Sequence, residues 1–183
     1  NIALLNQKNQ GKARALNNGL KHSRSEFLIT IDADSYIHHK GVELLMAKFN
    51  TERIGAVAGN IVALSNHKLL GYIQKMEYEI STHFLRESQS AIGAVTVTPG
   101  AFSGYRRSAL KKFEEGTLTE DFDSSAKVLD RGYQIIIAQD ALCYTQVPLN
   151  ISDIIKQRIR WQQGGIEVFS KHLFQEKRAL VSL

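Results

Sequence analysis

The sequence predicts an α/β fold built on a largely parallel sheet, and two observations carry this. Apolar, β-branched runs alternate with stretches of helical periodicity, the pattern of βαβ units. The strongest strand signal, Phe27-Leu28-Ile29-Thr30-Ile31, stops abruptly at a carboxylate, Asp32. In open α/β sheets, ligands bind beyond the carboxyl ends of such strands. A chain of 183 residues, 43% apolar and 22% charged, with two prolines and no low-complexity tract, reads as one domain over residues 1–183.

Taken in order, Ile2–Leu5 is a short apolar run that reads as a strand. Gly11–Lys21 has Ala13, Leu16 and Leu20 on one helical face. After the strand at 27–31 come a helix over Gly41–Phe49 and a strand over Gly55–Leu64. His67–Arg86 has helical character, and Ala94–Thr98 and Phe102–Tyr105 are strand-like runs around Pro99-Gly100. Asp121–Arg131 reads as a helix with Phe122, Ala126 and Leu129 as its stripe. Two strands, Gln134–Ala138 and Ala141–Thr145, follow. From Asn150 to about Leu173 the pattern is helical, with a break or kink expected at Gly164-Gly165.

Composition narrows the function classes. The formal charge of +5 favours anionic partners without choosing among them. Few exposed aromatic-plus-basic clusters are in evidence, which argues against nucleic acid. Cys143, the sole cysteine, sits in an apolar setting as an inert thiol, and a reduced compartment is the simpler reading. No apolar run reaches the roughly 18 residues of a membrane span, and the six histidines show no metal-ligand spacing.

Three segments carry chemistry, each with a plain structural alternative. Asp32-Ala33-Asp34 places two carboxylates at a strand end, where Mg²⁺ or Mn²⁺ takes one or two carboxylates plus substrate phosphates; a turn or helix cap is the alternative. Thr119-Glu120-Asp121 precedes a helix, so Asp121 serves either as a general base or, like Thr119, as a cap. Gln157, Arg160 and Trp161 share a helix face offering an amide, a planar cation and an indole for phosphate and sugar; the alternative is an amphipathic helix with a core Trp. Asn9-Gln10-Gly11-Lys12 opens a helix that can receive an anion. Asn150-Ile151-Ser152 matches a glycosylation sequon, but capping of the last helix explains it better.

The order of these segments resembles the processive inverting family 2 glycosyltransferases: cellulose, chitin and hyaluronan synthases and bacterial poly-N-acetylglucosamine synthases. The resemblance runs through residues 9–17, Asp32-Ala33-Asp34, Gly104-Tyr105-Arg106-Arg107, Thr119-Glu120-Asp121 and Gln157–Trp161. The stretch Gln157–Phe169 is most similar to the poly-N-acetylglucosamine branch. The resemblance implies a GT-A-type nucleotide-diphospho-sugar transferase with a Rossmann-like, mostly parallel sheet, here lacking its first βα units.

It further implies a metal-dependent UDP-sugar hexosyltransferase that moves N-acetylglucosamine or glucose to a polysaccharide or glycolipid acceptor. Asp34 would ligate Mg²⁺ or Mn²⁺, Asp32 would contact the nucleotide sugar and Asp121 would be the catalytic base. Glu120 would lie against substrate, Gln157, Arg160 and Trp161 would hold the diphosphate and acceptor sugar, and Lys12 would line the uridine pocket. Phe102–Arg107 would border the acceptor. The parent protein would sit at the cytoplasmic face of the cell membrane, anchored through segments absent from this chain. The rival reading is a non-catalytic module that binds sugar nucleotide or polysaccharide.

Overall fold

The computed structural model describes residues 2–64 and 69–181, with side chains of the last helix described as far as His172. The elements are α1 (Lys12–His22), β1 (Phe27–Ile31), β2 (Ser35–Ile37), α2 (Gly41–Met46), β3 (Ile54–Leu64), α3 (Leu69–Ile80), a π-helical stretch (Ser81–Arg86), α4 (Glu87–Ala91), β4 (Phe102–Arg106), α5 (Glu120–Asp130), β5 (Gln134–Gln146) and α6 (Ile151–Val181).

One five-stranded sheet runs in the order β1-β4-β3-β5-β2. Strand β3 is apolar almost throughout because both faces of the sheet are covered. Alternate residues therefore enter two cores. Ala56, Ala58, Ile135 and Ile137 join Tyr105, Phe113 and Val128 on one face, against which Ala13 and Leu16 of α1 pack. Val57, Ile61 and Phe102 join Leu45 of α2 on the other.

The α/β class holds, but the sheet is mixed rather than mostly parallel. Among the described strands only β3 and β5 pair in parallel; β1–β4, β4–β3 and β2–β5 are antiparallel. The reason lies at Pro99-Gly100. The Asp32 amide donates to the Ala101 carbonyl at 3.3 Å, so β4 begins where β1 ends and has to run back beside it. Apolar alternation marks a strand but carries no information about its direction.

Other boundaries shift for local reasons. Ile2–Leu5 is not a strand: it is exposed and has no ladder partner among the described residues. Of Ala94–Thr98 only a single bridge, Ala94 to Ile135, pairs. The two strands expected over 134–145 are one, interrupted where Gly59/Ala138 pairing jumps to Asn60/Leu142, with Asn60 Nδ2 donating to the Gln139 carbonyl at 2.9 Å inside the bulge. The helix expected over His67–Arg86 starts at Leu69 within the described residues, His67 and Lys68 lying outside them, and continues through the π stretch to Ala91. α6 runs through Gly164-Gly165 without interruption. Its first turn is capped as expected, the Asp153 amide donating to Asn150 Oδ1 at 2.9 Å. No helix among the described residues is long and apolar enough to cross a membrane.

Glycines mark the tight places. A Cβ on Gly59 would lie 2.4 Å from Phe102 Cδ1 and 2.9 Å from the Phe102 carbonyl oxygen, whereas one on Gly19, within α1, would meet nothing within 4 Å. Gly59→Ala is expected to destabilise by about 1–3 kcal/mol through overpacking, and Gly19→Ala to stabilise by about 0.4–1 kcal/mol. Unfolding midpoints of the two variants check the opposite signs.

Candidate active site

The site forms at one end of the sheet, where the carboxyl end of β1, the amino ends of α1 and α5 and the Pro99-Gly100 turn converge. α1 begins after Gly11, whose φ of 95° suits glycine and whose amide donates to Asn9 Oδ1 at 3.1 Å. That geometry sends the Lys12 side chain across the sheet end. Its ammonium lies 2.5 Å from Asp32 Oδ1 and 2.8 Å from Glu120 Oε1. Burial opposes the Lys12 charge, but the two carboxylates outweigh it and hold the ammonium above its ordinary pKa.

Asp121 adjoins this pair. Its Oδ1 accepts the Phe122 amide at 2.9 Å and its Oδ2 the Gly100 amide at 3.2 Å. Burial, and then the negative charge of Glu120, push its pKa upward; the two backbone amides and Lys12 oppose them without cancelling them. The turn passes close under the cluster: a Cβ at Gly100 would lie 2.6 Å from Lys12 Nζ, so a side chain there would displace the ammonium, and 3.5 Å from Glu120 Oε1 and 3.7 Å from Asp121 Oδ2.

The first turn of α5 is tied down from behind. Ser125 Oγ donates to the Asp121 carbonyl at 2.8 Å, lies 2.8 Å from Thr98 Oγ1 and accepts the Thr98 amide at 2.8 Å; Thr98 Oγ1 in turn meets the Tyr105 hydroxyl at 2.8 Å. Thr119 occupies the N-cap position, but its hydroxyl makes no capping bond. Capping therefore does not account for Thr119.

The α6 segment approaches from the side. Arg158 binds Glu77 of α3 at 2.6 Å and donates to Gln157 Oε1 at 2.7 Å. Its guanidinium lies 4.2 Å from the centroid of the Trp161 ring, and Tyr78 meets the same indole edge-on at 6.5 Å. The stacked cation is thus Arg158, three residues before Trp161, and not Arg160, which is exposed and makes no hydrogen bond or ion pair among the described residues. Arg86, at the end of the π stretch, links the two halves: burial lowers its pKa, while the negative charge of Asp121 favours its cation.

The expected residues thus divide. Lys12, Asp32, Glu120 and Asp121 come together. Trp161 stands beside Tyr78, and Gln157 accepts from Arg158. Asp34 sits in the exposed turn between β1 and β2 and makes no hydrogen bond or ion pair among the described residues. No group of three or more His, Cys, Asp or Glu side chains is placed to hold a metal ion among them. The expectation for Phe102–Arg107 is corrected. Phe102 and Tyr105 are core residues, Arg106 binds Glu26 at 2.7 Å, and Arg107 donates to the Ser23 and Ser25 carbonyls at 2.8 and 2.7 Å, so only the turn before β4 reaches the site. Gly100, Tyr78 and Arg86 were missed by sequence reasoning. Pro99-Gly100 signalled only a turn, and the other two lie in no motif.

The model of Glycosyl transferase family group 2 matches residues 27–183. The chain belongs to this family. A poly-beta-1,6-N-acetyl-D-glucosamine synthase of Staphylococcus aureus is 34% identical over 172 residues, covering 92% of this chain and 42% of the relative. Its Staphylococcus epidermidis counterpart is 37% identical over 164 residues, covering 87% and 40%. The chain therefore spans less than half the length of these family 2 relatives. Two solved structures share the fold. A Pyrobaculum calidifontis mannosyltransferase in complex with GDP-Man and Mn²⁺ has a TM-score of 0.70 at 22% identity, covering 91% of this chain and 44% of its own. S. aureus TarS 1-349 in complex with UDP-GlcNAc has a TM-score of 0.54 at 17% identity, covering 82% and 43%. The GT-A-type α/β fold expected from the sequence is the one these transferases have.

Gly164 sets how closely α6 approaches the site. A Cβ there would lie 2.4 Å from Thr119 Oγ1 and 2.5 Å from its Cγ2. Gly164→Ala is expected to lower stability by about 1–3 kcal/mol. Adding Thr119→Ala, which removes the two nearest atoms, should recover most of it. Thermal unfolding of the single and double variants measures both.

Proposed function

We propose that this chain is the catalytic part of an inverting UDP-sugar hexosyltransferase that extends a polysaccharide or glycolipid, with N-acetylglucosamine as the favoured sugar. The observation that carries the reading is the pairing of Asp32 and Glu120 with one ammonium, Lys12, at the carboxyl end of β1, with Asp121 held beside them by the Gly100 amide. The staphylococcal synthases and the UDP-GlcNAc complex of TarS support the choice of donor.

Transfer is a single displacement. An acceptor hydroxyl attacks the anomeric carbon, the bond from that carbon to the diphosphate oxygen breaks, and UDP leaves with the electron pair. The hydroxyl proton passes to Asp121, whose raised pKa makes it a stronger base than an ordinary aspartate. Attack opposite the leaving group inverts the anomeric centre. Lys12 holds Asp32 and Glu120 in place, Asp32 meets the donor sugar and Glu120 lies against substrate. Trp161 offers the acceptor an indole surface, while Gln157 and the unpaired Arg160 supply polar and cationic contacts to the diphosphate.

Asp34 fits a hard divalent ion, being an exposed carboxylate with no competing partner, and substrate phosphates would complete its ligands. Mg²⁺ or Mn²⁺ bound there would neutralise charge on the departing diphosphate. Apolar residues exposed on α3 and α6, including Ile73, Met76, Ile80, Ile155 and Ile159, suit work against the cytoplasmic face of a membrane.

Turnover assays of the intact protein with UDP-N-acetylglucosamine test the reading; UDP binding without turnover would favour a binding module instead. Asp121→Asn should cut transfer by a factor on the order of 10² to 10⁴ with UDP affinity little changed. The acid limb of kcat/KM should lie above the ordinary Asp pKa of about 3.9, because the base works only once ionised and its pKa is raised. Glu120→Gln should move that limb down by removing a like charge.

UDP affinity should fall on chelation and in Asp34→Ala. Calorimetry giving equal affinity with chelator and with Mn²⁺ would remove the metal from this mechanism.

A further inference from the structure

We propose that Asp123 is a positioning residue for transfer: clamped between Lys127 of its own helix and Lys171 of α6, it sets α5 against α6 and so fixes where Asp121 stands relative to Gln157–Trp161. The inference rests on the reading of Asp121 as the base.

Asp123 lies two residues after Asp121, yet its side chain is fully buried. Its Oδ2 is 2.8 Å from Lys127 Nζ and its Oδ1 3.0 Å from Lys171 Nζ. Glu114, from the segment before α5, binds Lys127 at 2.5 Å and approaches Lys171 to 3.6 Å. Two carboxylates and two ammonium groups thus balance in one cluster. Burial opposes ionisation of Asp123, but the two lysines outweigh it and hold the carboxyl below its ordinary pKa. His172 extends the cluster: its Nδ1 is 2.5 Å from Asp130, and its Nε2 is 3.8 Å from Asp123 Oδ1.

A buried cluster of this kind contributes little net stability compared with well-packed apolar side chains, because desolvation consumes most of the attraction. Its distinctive property is direction. Ion pairs with defined donors fix the rotation of one helix against another, which apolar contact leaves loose. A further close contact, Gly164 of α6 under Thr119 at the start of α5, is a steric stop that limits approach but not rotation. The cluster supplies a second fixed point seven residues further along α6. Ser124 and Ser125 then transmit the setting to the catalytic turn, their hydroxyls donating to the Glu120 and Asp121 carbonyls at 2.6 and 2.8 Å.

The test measures transfer by the intact protein over a range of UDP-N-acetylglucosamine concentrations, with UDP affinity determined by calorimetry on the same samples. Lys171→Ala, Lys171→Arg and Asp123→Asn are each made alone and together with Asp121→Asn. Lys171→Ala and Asp123→Asn should lower kcat by about tenfold to a hundredfold, the cost of misplacing a reacting group by up to about 1 Å. KM and UDP affinity should stay within about twofold of the parent, and Lys171→Arg should restore most of the rate. With Asp121→Asn present, the same changes should cost less than about twofold further, because residues that act as a unit are non-additive.

Equal losses in both backgrounds, a loss carried by KM or UDP affinity, or no loss at all would overturn the positioning role. Near-normal turnover by Asp121→Asn alone would overturn the base assignment, and this proposal with it. A crippled Asp121→Asn beside an unimpaired Lys171→Ala would overturn the positioning role only.

Discussion

Asp32, Glu120 and Asp121 converge on the same end of the sheet, and a single ammonium, Lys12, stands among them. Like charges about 4 Å apart near a protein surface repel by about 4 kcal/mol, so such a cluster needs neutralisation from outside the acidic elements. Lys12 supplies one charge, and the Gly100 and Phe122 amides supply dipoles to Asp121. The start of α1, the glycine at residue 100 and the entry of β4 beside the end of β1 together bring these groups to one place. Asp121 is the buried member of the cluster and stands beside the charge of Glu120, and for these two reasons, burial first, its proton affinity rises.

The helix N-terminus is the second contributor. α5 has Glu120, Asp121 and Asp123 in its first turn, where the helix dipole favours negative charge. Those three carboxylates face different surroundings: Glu120 meets Lys12, Asp121 meets the turn before β4, and Asp123 turns inward to two lysines. One turn of helix distributes three identical charges among three environments, with opposite effects on proton affinity at Asp121 and Asp123.

Much of this arrangement was legible in the sequence. The strand at 27–31 and its terminal carboxylate, the helix after Thr119 and the helix after Asn150 were all marked by periodicity and capping residues. What escaped was information that no local window contains. The reversal of β4 depends on a hydrogen bond between Asp32 and Ala101, which are far apart in the chain. Gly164-Gly165 resembles a helix break until Thr119 is seen lying against it. The choice of Arg158 over Arg160 as the stacked cation depends on Glu77, a residue of another helix. Arg86 and Tyr78 lie in no recognisable motif: Tyr78 stands on α3 against Trp161, and Arg86 ends the π-helical stretch that follows.

α6 is 31 residues long, which at 1.5 Å per residue is a rod of about 46 Å. It rests on Thr119 at Gly164, with Arg160 four residues to one side and Lys171 seven to the other. It therefore works as a lever whose fulcrum is a hydrogen atom where any other residue would carry a carbon. Tilting the rod by about 1 Å at Lys171 swings Arg160 by about 0.6 Å the opposite way, a ratio set only by residue spacing along the helix. Whatever grips the far arm of this rod thereby trims the geometry of the near arm without touching it.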